Sequence, residues 1–135
     1  MPLLQWDTAF ELGIEQFDEH HKHLVMLLNE VYDDFTGGGN AERLGIVLDR
    51  LLDYAVYHFM AEEEAMAVSG YPKLARHRKE HRKFTANVLK LKEDFRNGKA
   101  LLLNEVLAFL RNWLTDHILH ADADFGRFVA TQTNG

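Results

Sequence analysis

The sequence predicts an all-α protein, an up-down-up-down antiparallel four-helix bundle preceded by an N-terminal arm. Three observations predict it. Only two prolines occur, Pro2 and Pro72, so helices can run long without interruption. Three glycine-containing breaks divide the chain into four stretches of helix-forming composition. Each stretch carries a stripe of residues at alternating three- and four-residue spacing, the pattern of a helix-packing seam.

The elements follow in order. Residues 1–13, MPLLQWDTAFELG, hold no basic residue and acquire acidic ones early, which reads as an arm and not a secretory signal. The first helix ends at Gly37-Gly38-Gly39-Asn40, where Asn40 suits the N-cap of the second. Ser69-Gly70-Tyr71-Pro72 separates the second from the third, with Pro72 suited to a first helical turn. Asn97-Gly98 makes the last break, Gly98 being the expected residue just past a helix end. Such short connections favour antiparallel neighbours. The expected organisation is one domain: arm 1–13, bundle 14–126 and C-terminal tail 127–135. A chain of 135 residues is enough for one sizeable core.

Composition excludes several functions. A formal charge of −6 argues against nucleic acid or an anionic membrane surface as partner. Without cysteine there can be no disulfide, thiolate metal site or iron–sulfur cluster, so any metal must sit on nitrogen and oxygen. No apolar run approaches the roughly 20 residues of a membrane span. A cytoplasmic monomer is the expectation.

The seams carry the functional signal. The first reads Ile14, Phe17, His21, Leu24, Leu28, Val31, Phe35, and the second Leu44, Leu48, Leu51, Ala55, His58, Glu62, Met66. The third reads Leu74, His77, His81, Phe84, Val88, Leu91, Phe95, and the fourth Leu103, Val106, Leu110, Trp113, His117. All are apolar except at His21, His58, Glu62, His77, His81 and His117. Antiparallel packing brings these six to one end of the bundle. Burying them unpartnered would cost a few kcal/mol each, against a total stability of about 5–15 kcal/mol. Metal ions satisfy them together, and this donor set suits iron, zinc or manganese. Asp122 follows His117 by five residues, about 140° away on a regular helix, so the helix must end, tighten or bulge if both are to coordinate.

Four motifs resemble those of bacterial hemerythrins. They are Phe17-Asp18-Glu19-His20-His21-Lys22-His23-Leu24, His58-Phe59-Met60-Ala61-Glu62-Glu63, Gly70-Tyr71-Pro72 with His77 and His81, and Trp113-Leu114-Thr115-Asp116-His117-Ile118 with Asp122. Trp6 resembles the tryptophan common in the arm of these proteins. One departure is His20, where relatives often have glutamine. The seam nevertheless selects His21, since a stripe through His20 would meet Gly13 and Asp34.

The resemblance implies two iron ions, Fe2+ or Fe3+, with a bridging oxo or hydroxo group. It implies one iron on His77, His81 and His117, the other on His21 and His58, and Glu62 and Asp122 as bridges. One coordination position is then left open, on the iron with two histidines. The implied activity is reversible O2 binding for storage, transport or delivery, with an O2-consuming enzyme as recipient. Trp113, Leu114 and Ile118 are expected to keep water and protons from the bound O2. Two other readings stand beside this one: a di-iron oxidase, peroxidase or nitric-oxide-handling enzyme, and an O2 or redox sensor. The histidine-rich set disfavours the first, and the lack of an attached signalling segment the second.

Other side chains receive plainer readings. His23 is expected at the solvated surface, and His20 on the helix flank or as a partner of a ligand. His120, one turn beyond His117, is not expected to coordinate. Glu63 and Asp116 are candidates to orient ligand imidazoles. Met60 and Met66 read as core, and the stretches 73–83 and 62–64 as solvated faces apart from their ligands.

Overall fold

Helix starts and stops fall close to the breaks in the sequence. The computed structural model describes residues 4–37, 41–97 and 103–133. Asn40 and Gly98 lie outside the described residues, as do the side chains of Phe35, Leu44, Phe95 and Leu103. A 3-10 turn, Thr8–Phe10, precedes α1 (Glu15–Thr36), α2 (Ala41–Ser69), α3 (Leu74–Arg96) and α4 (Leu103–Asp116). A π-helical turn, His117–Asp122, then joins α4 to α5 (Ala123–Thr133), so the fourth rod of the bundle is continuous. Helix α5 runs across the boundary at 126/127 that sequence reading gives to bundle and tail. Neighbouring helices α1 and α2, α2 and α3, and α1 and α4 pack together, giving the antiparallel bundle.

The α2–α3 reversal shows why the glycine is there. Gly70 takes φ +71°, a left-handed conformation costly to residues with a Cβ, and Tyr71 N–H closes the helix end on Met66 O at 2.9 Å. Pro72 falls in the turn just ahead of α3, not in its first turn.

Two apolar clusters sandwich a polar belt. Leu24, Leu28, Val31, Leu48, Leu51, Val88 and Leu110 belong to the large one, and Phe17, Met66, Tyr71 and Phe125 form the small one. Along α1, His21 sits between Phe17 and Leu24; along α2, His58 and Glu62 sit between Ala55 and Met66. Each fully buried large side chain contributes about 1.5–3 kcal/mol, so both sides of the belt are firmly held. Met60 departs from expectation: it is 66% exposed, because it lies off the seam on the outer face of α2, and only Met66 is core.

The arm is tied to the bundle at both ends. Asn29 exchanges two 2.9 Å hydrogen bonds with the backbone of Leu4. Asp18 accepts from Leu12 N–H at 2.6 Å and Gly13 N–H at 3.2 Å. Between these ties Phe10 enters the core, with Trp6 packed on its ring, and the 3-10 turn reaches the π-helical turn. Helix α5 comes close as well, since a Cβ on Gly126 would stand 2.9 Å from Leu12 O. None of the described helices is long and apolar enough to cross a membrane.

Candidate metal centre

The seam positions converge as the spacing requires. His21, His58, Glu62, His77, His81 and His117 are all buried, and Asp122 joins them with no exposed surface. Asp122 reaches the group through the π-helical turn. Ala123 N–H donates to Ile118 O five residues back, which widens the turn and brings Asp122 Oδ1 to 3.2 Å from His117 Nε2. Of the three distortions that would let both residues face inward, the bulge is the one present.

These residues form two groups sharing Glu62 and Asp122. One holds His77, His81 and His117, the other His21 and His58, and within each group the candidate ligand atoms lie within 4.8 Å of one another. The two carboxylates turn one oxygen to each side. Glu62 Oε1 is 2.6 Å from His77 Nε2 and 3.5 Å from His81 Nε2, while Oε2 is 3.1 Å from His58 Nε2. Asp122 Oδ1 is 2.9 Å from His77 Nε2, while Oδ2 is 3.1 Å from His21 Nε2.

The residues fit metal ions on two counts. Glu62 Oε2, Asp122 Oδ2 and His21 Nε2 are buried without a hydrogen-bond partner despite these short separations. Each such atom costs about 1–3 kcal/mol, and all three face the same interior. In addition, His81 Nε2 and His117 Nε2 face each other at 3.0 Å. Their opposite nitrogens are held by carboxylates, His81 Nδ1 by Glu63 at 2.9 Å and His117 Nδ1 by Glu80 at 3.2 Å. With protons on the Nδ1 atoms, the neutral rings point two Nε2 lone pairs at one spot, an arrangement suited to a cation.

The outer partners divide expectation from finding. Glu63 orients a candidate ligand, as its motif position suggests. Asp116 does not hold His117: it is exposed, and Glu80 takes that place from the adjacent helix. Glu80 follows His77 by three residues on a face that sequence reading assigns to solvent. Its half-exposed carboxylate reaches inward, which is visible only across helices. His21 Nδ1 donates to Phe10 O at 3.2 Å, so the arm supplies one support. His20 is buried, with Nδ1 2.8 Å from His58 Nδ1. His23 is half-buried against the Tyr54 ring, while His120 is exposed and outside both groups. Stacking steadies two imidazoles, Phe59 on His81 at 3.9 Å and Trp113 on His117 at 4.5 Å.

Charge in the cluster is mutually enforced. Burial opposes protonation of His77 and His117, but the Asp122 and Glu62 carboxylates outweigh it and raise them to about 9 and about 10. His21 is raised in the same way, against burial, mainly by Asp122. Burial and the neighbouring Asp122 charge push Glu62 upward, yet His58, His77 and His81 hold it at about 2. Burial also opposes ionisation of Asp122, and His117, His21 and His77 hold it well below the usual carboxylate range.

One cavity adjoins the centre and a second lies close by. A cleft of about 480 Å3 opens on the outer side of His77 and His117, lined also by Lys73, Arg76, Glu80 and His120. An apolar void of about 10 Å3 lies one helical turn from His21 and His58, lined by Leu24, Ala55, Phe59 and Leu114 among others. Leu114 lines this void, Trp113 packs against His117 of the three-histidine side, and Ile118 is fully buried.

Comparisons with known proteins agree with this arrangement. Residues 12–129 match the family described as hemerythrin HHE cation binding domain. The chain is 34% identical over 127 residues to a bacteriohemerythrin of Methylococcus capsulatus, covering 93% of this chain and 96% of that protein. It is 31% identical to a bacteriohemerythrin of Stenotrophomonas maltophilia, covering 99% and 86%. A crystal structure of wild-type hemerythrin superimposes with a TM-score of 0.85 at 33% identity, covering 93% of this chain and 96% of that one.

Proposed function

The chain belongs to the hemerythrin family, and from that premise we propose that it binds O2 reversibly at a pair of iron ions. It would store, carry or deliver oxygen, not transform it, with an O2-consuming enzyme as recipient. The observation that carries the reading is the division of oxygens: Glu62 and Asp122 each turn one oxygen to the three-histidine side and one to the two-histidine side. Such carboxylates would bridge one iron on His77, His81 and His117 to another on His21 and His58. With fewer imidazoles, the His21–His58 side would be the one left able to take a small ligand.

Bound there, the two irons would supply the electrons that O2 takes up and returns. The chain's own residues do the rest. Four helices fix the imidazoles from different directions, and apolar clusters above and below exclude water. Leu114 and Ile118 keep protic groups from the side where O2 would sit. Among the relatives, the name bacteriohemerythrin supports a binding role over an enzymatic one.

The test is reconstitution with ferrous iron without air, followed by admission and then removal of O2. A visible charge-transfer band that appears and reverses, at two irons per chain, is the expected result. Prompt irreversible oxidation with turnover of added reductant would assign the chain to the enzymes instead.

A further inference from the structure

His20 is a buried histidine of the polar belt that belongs to neither ligand group. Its Nδ1 lies 2.8 Å from His58 Nδ1, and its ring is enclosed by Phe17 at 5.7 Å, Tyr54 at 5.9 Å and Tyr57 at 5.3 Å. Two ring nitrogens at that distance share one hydrogen. Which ring owns it is decided at the far side of His58, where Nε2 faces Glu62 Oε2 at 3.1 Å.

There are two self-consistent arrangements. If His58 Nε2 carries a proton toward Glu62, its Nδ1 is an acceptor and His20 Nδ1–H donates. If His58 Nε2 offers its lone pair to a cation, its Nδ1–H donates and His20 Nδ1 must accept. A neutral His20 then carries its proton on Nε2. We propose that His20 is a positioning residue for His58, and that a cation on the two-histidine side reverses the bond between them and switches the His20 tautomer from Nδ1–H to Nε2–H.

The protons balance. The shared hydrogen passes from His20 Nδ1 to His58 Nδ1, the proton on His58 Nε2 leaves to solvent, and His20 Nε2 takes one from solvent. The pair holds two ring protons before and after. His20 retains 7% exposure beside the exposed Tyr57, so its ring is not sealed from solvent. The switch would carry the state of the two-histidine side outward to the α1–α2 surface without opening the centre.

This inference rests on His58 being a ligand, and the experiment separates the two. Zinc, which suits the same donors and is diamagnetic, replaces iron in protein labelled with 15N histidine, and long-range 15N–1H spectra are recorded with and without it. The expected result is a coordinated His58 Nε2 together with a His20 that changes from Nδ1–H to Nε2–H. The variant His20→Phe, which offers no acceptor, should bind the two-histidine zinc about 10–100-fold more weakly, with the three-histidine zinc unaffected. His20→Gln keeps an acceptor oxygen and should recover most of that loss. A coordinated His58 beside an unchanged His20 tautomer would overturn the inference and leave the ligand assignment standing. An uncoordinated His58 would overturn both, and a His20→Phe protein that binds both zincs like the wild type would overturn the positioning role.

Discussion

On the α3–α4 side of the centre, the imidazoles of His81 and His117 lean on the carboxylates Glu63 and Glu80. On the α1–α2 side, those of His21 and His58 lean on a backbone carbonyl and a second imidazole. A carboxylate draws the Nδ1 proton and makes Nε2 a stronger donor than a neutral acceptor does. On the proposed reading, the difference would separate a side that retains its ion from a side that leaves room. His77 with the two carboxylate-backed imidazoles would make the saturated side. Under the proposed function, the two imidazoles with neutral backing would make the side where a small molecule enters. The carboxylate effect is moderated by arginine, since Arg78 pairs with Glu63 at 3.1 Å and Arg76 with Glu80 at 3.8 Å.

The largest expected effect comes from abolishing the division altogether. Asp122→Ala removes a group that faces both sides, so both irons should be lost or weakened well beyond 100-fold, the upper end of an outer-partner effect. His58→Ala touches one side and should leave one iron per chain. Metal content after gel filtration distinguishes them. Equal stoichiometry in the two variants would break the claim that Asp122 serves both sides. The metal-depleted Asp122→Ala protein should still fold, because its core clusters lie on either side of the belt.

How far this was legible in the sequence depends on which contacts run along a helix and which run between helices. The fold and the six seam residues follow from periodicity, since a buried stripe is a property of one helix at a time. Asp122 does not, because its position requires a π-helical turn that composition gives no sign of. Glu80 does not either: His77, Glu80 and His81 share a helix, but the bond from Glu80 goes to His117 on another. Met60 lies two residues from both His58 and Glu62, off the seam, while a methionine reads as core from its chemistry alone. His20 was legible as a neighbour of a ligand on α1, but its partner is His58 on α2.

The contrast between sides sharpens at Glu80 and Glu63. Glu80→Gln and Glu63→Gln each keep a hydrogen-bond acceptor while removing the charge behind His117 or His81. Metal affinity on the three-histidine side should fall by about 10–100-fold, with the two-histidine side nearly unchanged. Competition with a chelator of known affinity reads this directly. An equal loss on both sides would mean that the carboxylates act on the whole centre and not on their own imidazoles.

A smaller effect is expected on the proposed open side. Leu114→Ala enlarges the apolar void, admits water and should speed autoxidation of the O2 complex by up to about tenfold, a barrier change of about 1.4 kcal/mol. The visible band measures the decay. An unchanged rate would remove Leu114 from the protection of that side.

The last effect concerns protons in place of metal, and it has opposite signs in the two forms of the protein. In chelator-treated protein, His77 and His117 are raised to about 9 and about 10 from an ordinary 6.5. A raised folded value stabilises fully below the unfolded value of 6.5 and is lost as pH climbs toward 9 and 10. Glu62, lowered from 4.5 to about 2, stabilises fully above 4.5 and is lost as pH falls through that interval. The metal-free melting temperature should therefore peak between about pH 4.5 and 6.5 and decline toward pH 10. Metal binding demands the same histidines deprotonated, so the stabilisation from added iron or zinc should grow over the range where the metal-free protein weakens. Thermal melts of both forms from pH 5 to 10 check this. A metal-free protein whose melting temperature rises steadily toward pH 10 would show that the carboxylates do not hold protons on the three-histidine side.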